Sequence, residues 1–213
     1  MSPREEIVYV VDDDARVREA LGELLASLGL RAETFAAAAD YAAFAKPDLP
    51  ACLILDVELP DINGLELQAQ MSGGSHPPIV FITGHGDIPS SVRAIKRGAI
   101  DFLTKPFSDQ QLMDAIHAAI SQDRAARVHH AELSILQQRY LALTPREREV
   151  LPLVVSGLLN KQAAAELGIS EVTLQIHRRN VMQKMEAASL AELVRFAEKL
   201  QIPVTHSRRM SGA

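Results

Sequence analysis

Three short apolar runs and a fourth strand-like segment, each followed by polar residues with chemistry to offer, constrain this chain more than any other feature. Ile7–Val11 ends at Asp12 and Asp13, residues 52–55 (CLIL) end at Asp56, residues 79–82 (IVFI) end at Thr83, and residues 100–103 lead to Lys105 and Pro106. Such runs are short and unalternating, as strands buried on both faces must be. Helical spacings lie between them. Val17, Ala20, Leu21, Leu24, Leu25 and Leu28 recur before Gly29, residues 36–45 close before Pro47, Gly64–Met71 follows, and residues 88–97 stop at Gly98. Arg31–Phe35 alternates like a strand. Five strand–helix alternations within about 120 residues predict an α/β doubly wound, five-stranded parallel sheet.

In such a sheet ligands sit beyond the carboxyl ends of the strands. Asp12, Asp13, Asp56, Thr83 and Lys105 are therefore expected at one rim. This set suits phosphoryl acceptance. A carboxylate nucleophile needs a divalent cation and an opposing positive charge to neutralise the group being transferred, with donors for its oxygens. Asp12 and Asp13 supply hard oxygen ligands suited to Mg²⁺, Asp56 the nucleophile, Lys105 the positive charge and Thr83 a hydroxyl. Asp14 reads as a helix N-terminal charge, and Asp61 as part of the 60–64 turn, where Gly64 tolerates a tight backbone. His76, His129, His130 and His206 lack metal-ligand spacing and read as surface residues.

Ser108 caps a further helix, and neither Gly nor Pro intervenes before Pro145. Residues 108–140 read as one long helix that leaves the first domain. A flexible charged linker stays open, because Asp123, His130 and Gln137 interrupt its apolar stripe. The expected organisation is a domain over 6–121, a helical linker over 122–140, an all-α domain over 141–203 and a disordered tail over 204–213. Thr144, Pro145 and Glu147 mark a helix start, and Gly157 its end. Residues 160–167 are short and stop at Gly168; Ser170 caps 171–185, and Ser189 caps 191–200. Two short helices about a glycine turn form a helix-turn-helix, with 171–185 as recognition helix. Val172, Ile176, Val181 and Met185 are expected to pack its inner face. Gln175, Arg178, Arg179 and Lys184 are free to address DNA, Gln suiting adenine and Arg guanine. Asn160 and Lys161 open the preceding helix, where phosphate contact is natural.

Charge divides the same way. Residues 1–121 hold nine Lys and Arg against 18 Asp and Glu, whereas residues 122–213 hold 13 against nine. An acidic half suits a cation and a basic half a polyanion. The single cysteine, Cys52, excludes an internal disulfide framework and reads as a buried small hydrophobe. No stretch reaches the roughly 20 apolar residues of a membrane span, and the first residues, MSPREE, are too polar for a signal peptide. A soluble, cytoplasmic protein without a membrane partner is expected.

The segments VVDDDARVREAL, CLILDVELPDINGLEL, IVFITGHGD and DFLTKPF resemble the receiver domain of two-component response regulators, with four motifs in register. The resemblance implies a flavodoxin-like fold and a sensor histidine kinase that donates phosphate to Asp56. It implies Mg²⁺ held by Asp13, Asp56 and the backbone carbonyl of Glu58, with Asp12 positioning a metal-bound water. Thr83 and Phe102 would form the switch, and a cis peptide would precede Pro106. The receiver would assist its own phosphorylation and dephosphorylation without being an enzyme in the ordinary sense. Glu58 and His85, each two residues beyond a site residue, are expected to tune hydrolysis of the acyl phosphate.

The segment LTPREREVLPLVVSGLLNKQAAAELGISEVTLQIHRRNVMQKM resembles the LuxR-type helix-turn-helix, so the whole chain resembles the NarL/FixJ class, in its FixJ-like branch. The resemblance carries DNA contact onto Asn160, Lys161, Thr173, Gln175, Ile176, His177, Arg178, Arg179 and Lys184. Val172 and Gln175 stand where that pattern often has Lys, which should weaken phosphate attraction. It implies a homodimer formed on phosphorylation, through residues 88–98, 101–105 and the following helix. Such a dimer would bind double-stranded promoter DNA, with RNA polymerase a further candidate partner. Two rival readings are an aspartyl-phosphate phosphohydrolase and a receiver with an RNA- or protein-binding output domain.

Overall fold

The computed structural model describes residues 6–71 and 76–203. The expected tail over 204–213, His206 and residues 72–75 lie outside these described residues. The chain divides into two compact units, Met1–Arg127 and Val128–Ala213.

In the first unit, strands β1 (Ile7–Val11), β2 (Arg31–Phe35), β3 (Ala51–Asp56), β4 (Ile79–Thr83) and β5 (Asp101–Thr104) form one sheet in the order β2-β1-β3-β4-β5. Every pairing is parallel. Helices α1 (Ala15–Ser27), α2 (Ala38–Ala43), α3 (Gly64–Met71) and α4 (Ile88–Lys96) connect them, and α5 (Asp109–Leu141) follows β5. Strand alternation sends Ile7, Tyr9, Leu53, Leu55 and Phe81 into one core, and Val8, Val10, Cys52, Ile54 and Val80 into the other. Leu21, Leu25, Leu112 and Ile116 cover the second. The edge strands β2 and β5 are less buried than β1, β3 and β4, and both carry polar residues where the central strands are continuously apolar. Cys52 is fully buried, and burial pushes its thiol pKa far up, so it is a core side chain.

The expected helix over 36–45 contracts to Ala38–Ala43. Its N-cap Ala37 offers no side-chain bond, and the Ala39 N–H instead donates to Asp61 Oδ2 at 3.1 Å. Asp61 therefore caps a helix 22 residues upstream, a role its own turn does not announce.

The segment after residue 122 is helical, part of the continuous 33-residue α5. Asp123, an apparent interruption, is a buried anchor: its carboxylate accepts from Ala51 N at 2.9 Å and from Arg127 Nε at 2.6 Å. Arg124 pairs with Glu6, and Arg127 also pairs with Asp48.

In the second unit, α6 (Pro145–Val155), α7 (Asn160–Leu167), α8 (Glu171–Lys184) and α9 (Leu190–Lys199) enclose a core that includes Leu143, Val150, Leu151, Leu174, Val181, Met185 and Leu193. The Thr144 side chain accepts from Glu147 N, and Glu147 Oε2 accepts from Thr144 N at 2.8 Å, a complete capping box. No helix among the described residues is long and apolar enough to cross a membrane.

Candidate functional site

Strand register builds the rim. Val11 pairs with Leu55, so Asp12 and Asp56 stand side by side one step on. Asp56 pairs with Ile82 and Thr83 with Thr104, which brings the next residue, Lys105, to the same rim. Lys105 Nζ donates to Asp12 Oδ2 at 2.6 Å and to Asp56 Oδ2 at 2.7 Å. Asp12 and Asp56 are buried and Asp13 is exposed, and one oxygen from each of the three lies within 4.8 Å of the others. Four of the five expected rim residues thus meet in one polar cluster.

Burial alone would lower the Lys105 pKa, but hydrogen bonds to Asp12 and Asp56 override it, and the net shift is upward. The ammonium therefore persists at neutral pH. Burial raises the Asp12 carboxyl despite the hydrogen bond from Lys105. A buried acidic pair held by one cation, with an exposed third carboxylate at its mouth, is an all-oxygen donor set that fits a small divalent ion.

The support around this cluster is backbone-built. Asp56 Oδ1 accepts from Glu58 N at 3.0 Å and Asp12 Oδ1 from Asp14 N at 2.9 Å. Asp14 itself caps α1 by accepting from Arg16 N at 2.8 Å. Arg18, which the sequence reading passed over, donates from Nη1 to Asp12 O at 2.7 Å and to Asp13 O at 2.8 Å. One helical turn after the Asp14 cap was the available signal. Gly64 serves close approach rather than a left-handed turn. A Cβ there would lie 2.3 Å from the Asp56 carbonyl oxygen, and Gly64 N donates to Val57 O at 2.9 Å.

Thr83 is fully buried, and its Oγ1 donates to His85 O and accepts from His85 N, both at 3.2 Å. Phe102 is half-buried and tilted against Phe81 at 6.0 Å between ring centroids. With Glu58, His85, Arg93 and Arg97 it lines a polar cavity of about 480 Å³. The Glu58 backbone bridges Asn63, and its carboxylate lies 3.7 Å from His85 Nδ1 on the surface. The Lys105–Pro106 peptide is cis. On the other side of Lys105, Val17, Leu21, Leu24, Pro106 and Phe107 line an open apolar groove of about 520 Å³.

In the second unit Gly168 (φ 65°) ends α7, and the Ser170 side chain accepts from Thr173 N to start α8. Leu174, Val181 and Met185 form the packed face. Val172 and Ile176, expected inside, are instead 67% and 47% exposed. They share an outward stripe with Gln175 and Arg179, because 172, 175, 176 and 179 follow helical spacing. Lys161 is also exposed. Other expected DNA-contact residues are held within the unit. Arg178 Nη1 donates to Asn160 Oδ1 at 3.0 Å, and the Thr173 hydroxyl lies 2.8 Å from that of Ser170. His177 is half-buried, with no hydrogen-bond partner at Nδ1. Lys184, expected on DNA, donates to buried Glu147 at 2.7 Å. Burial alone would raise the Glu147 carboxyl, but the Lys184 ammonium and the Thr144 donors hold it down at about 2.

Comparison with known proteins agrees with both halves. Residues 8–117 match the response regulator receiver domain family, and residues 141–197 match the bacterial regulatory proteins of the luxR family. The chain is 47% identical to nodulation protein W of Bradyrhizobium diazoefficiens, over 95% of this chain and 90% of that protein. It is 44% identical to the transcriptional regulatory protein FixJ of the same organism, over 89% and 93%. The solved structure of the response regulator StyR is 48% identical, with a TM-score of 0.79, covering 92% of this chain and 99% of StyR. Full-length FixJ from B. japonicum is 40% identical, with a TM-score of 0.53 over 92% and 98%. With its five parallel strands, acidic rim and helix-turn-helix, the chain belongs to the two-component response regulators of the NarL/FixJ class, as a receiver joined to a LuxR-type DNA-binding domain.

Proposed function

We propose that Asp56 accepts a phosphoryl group from a partner sensor histidine kinase, and that this modification drives homodimerisation and sequence-specific promoter binding. The observation that carries this reading is Lys105, bridging the buried carboxylates of Asp12 and Asp56. An Asp56 oxygen attacks the donor's phosphorus as the donor bond breaks, and Lys105 is already in place to neutralise charge arriving on the phosphoryl oxygens. Mg²⁺, when bound by Asp13, Asp56 and the Glu58 carbonyl with Asp12 holding a water, would supply further charge neutralisation. These groups let the receiver assist both its phosphorylation and its hydrolysis. The apolar groove of Val17, Leu21, Leu24 and Phe107 beside Lys105 offers a foothold for the kinase.

Thr83 and Phe102 act as the switch. The Thr83 hydroxyl leaves His85 for the phosphoryl oxygens, and Phe102 turns toward the space released. The face that changes is α4, where Ile88, Val92 and Ile95 stand exposed at helical spacing, the pattern of an unpaired contact surface. Two receivers pairing there with β5 and α5 bring together two DNA-binding domains. In each, Gln175, Ile176 and Arg179 on the outward stripe of α8 read base edges, and Lys161 contacts phosphate. Thr173, His177, Arg178 and Asn160 support that helix, and a cytoplasmic location with access to RNA polymerase completes the reading.

A mobility shift on duplex DNA, with and without acetyl phosphate and Mg²⁺, tests it. Wild type should shift more strongly after phosphorylation, and Asp56→Asn should not respond. A response retained by Asp56→Asn would refute the assignment of the acceptor.

A further inference from the structure

Six helix ends among the described residues share one construction. The N–H of the left-handed residue that closes the helix bonds the carbonyl three residues back, and the next N–H bonds the carbonyl five back. At α1, α4, α6 and α7 the residue required to turn left-handed is Gly29, Gly98, Gly157 or Gly168, with φ from 65° to 90°. The two departures are Gln201 (φ 54°) after α9 and Glu186 (φ 52°) after α8, the recognition helix. Side chains disfavour this conformation, whereas glycine adopts it freely.

Glu186 has a partner from another element. Arg139, on α5, pairs with its carboxylate through Nη2, while Nη1 points to Met185 O at 3.4 Å. The Glu186 side chain is 66% exposed, so the pair matters for the geometry it imposes more than for its charge energy. Met185 is fully buried, and Lys184 is tied to Glu147 of α6. The last turn of α8 is thus fastened on both sides.

We propose that Arg139 is a positioning residue for DNA recognition, holding Glu186 in its left-handed conformation and so fixing where α8 ends. The inference rests on the reading of α8 as the helix that addresses DNA. A glycine at 186 would close α8 unaided. The Glu186–Arg139 pair makes that closure conditional on the last part of α5, which belongs to the same unit.

The test uses the full chain, treated with acetyl phosphate, and two duplexes: one selected from a random pool by wild type, and one unrelated. The readouts are the ratio of the two affinities and its salt dependence, with thermal melting as a check on folding. Arg139→Ala and Glu186→Ala should each lower the ratio about tenfold. Glu186→Gly should stay within about twofold of wild type, and Arg139→Ala combined with Glu186→Gly should recover to the same level. Unrelated-duplex binding should keep its salt slope. An unchanged ratio in Arg139→Ala overturns the proposal, as does a loss that Glu186→Gly fails to rescue. A salt slope reduced by about one would also overturn it, because it marks direct phosphate contact. Where Arg139→Ala fails to fold, equal ratios in Glu186→Ala and Glu186→Gly overturn it. Wild type that binds neither duplex refutes the DNA reading itself, whereas wild-type selectivity shared by every variant refutes this inference alone.

Discussion

Replacing Gly64 with Ala should damage phosphoryl acceptance without touching any chemically active side chain. The added Cβ would sit 2.3 Å from the Asp56 carbonyl oxygen and 3.1 Å from Val57 Cα. An ordinary carbon–oxygen contact is about 3.3 Å, so about 1 Å must be found in backbone that has no flexible end. If α3 retreats, the 2.9 Å bond from Gly64 N to Val57 O is lost. If the Asp56 peptide retreats, its carboxylate leaves the 2.7 Å contact with Lys105. Overpacking of this kind costs about 1–3 kcal/mol of stability. A displacement of about 1 Å at a reacting group can cost about 100-fold in rate. Initial rates of phosphorylation by acetyl phosphate, read on phosphate-affinity gels, should fall by at least about tenfold. Urea denaturation should show the accompanying loss of stability. Wild-type rate together with a wild-type midpoint would refute the steric argument, and lost stability with an intact rate would refute its link to the acceptor.

Other perturbations probe separate parts of the molecule. Glu147 titrates at about 2 in the folded chain against an ordinary 4.5, so its contribution is complete above about 4.5 and is lost as pH falls toward 2. Glu147→Gln should cost about 1–3 kcal/mol in urea melts at pH 6, with the gap to wild type narrowing by pH 3; a gap that widens on acidification would contradict the linkage. Glu58→Ala and His85→Ala remove an exposed pair whose members stand two residues beyond Asp56 and Thr83, and the decay of phosphorylated protein should change in at least one of them. Arg179→Ala should lose about 1–3 kcal/mol on the selected duplex and relax its sequence preference. Lys161→Ala should weaken all duplexes alike and lower the salt slope by about one, so identical behaviour of the two would be the adverse result. Ile88→Asp on the exposed face of α4 should abolish acetyl-phosphate-dependent dimers in sedimentation while leaving phosphorylation intact.

Much of the receiver was legible because its signals are local. Continuous apolar runs specify buried parallel strands, and in a parallel sheet the residues after the runs fall at the same carboxyl end. Capping signals likewise gave the α6 and α8 starts, where Thr144 and Ser170 accept from their own first turns. The recognition helix was harder. Val172 and Ile176 share their apolar character with Leu174 and Val181, and only packing against α6 and α7 decides which pair is buried. Lys184 reads as a free basic residue until Glu147, 37 positions away, is found beneath it.

By itself, then, the sequence determined the strand–helix order, the acidic pair, Asp56 and the lysine at the strand ends, and the presence of a helix-turn-helix. Each of these depends on residues adjacent along the chain or on the fixed periods of strand and helix. The tertiary structure alone decided that Lys105 bridges Asp12 and Asp56, that Arg18 and Gly64 shape the loops after β1 and β3, and that Arg139 grips the end of α8. The contacts of Lys105 and Arg139 join positions dozens of residues apart, those of Arg18 and Gly64 join the two sides of a loop, and in each case the partner is set by three-dimensional packing, which local periodicity does not encode.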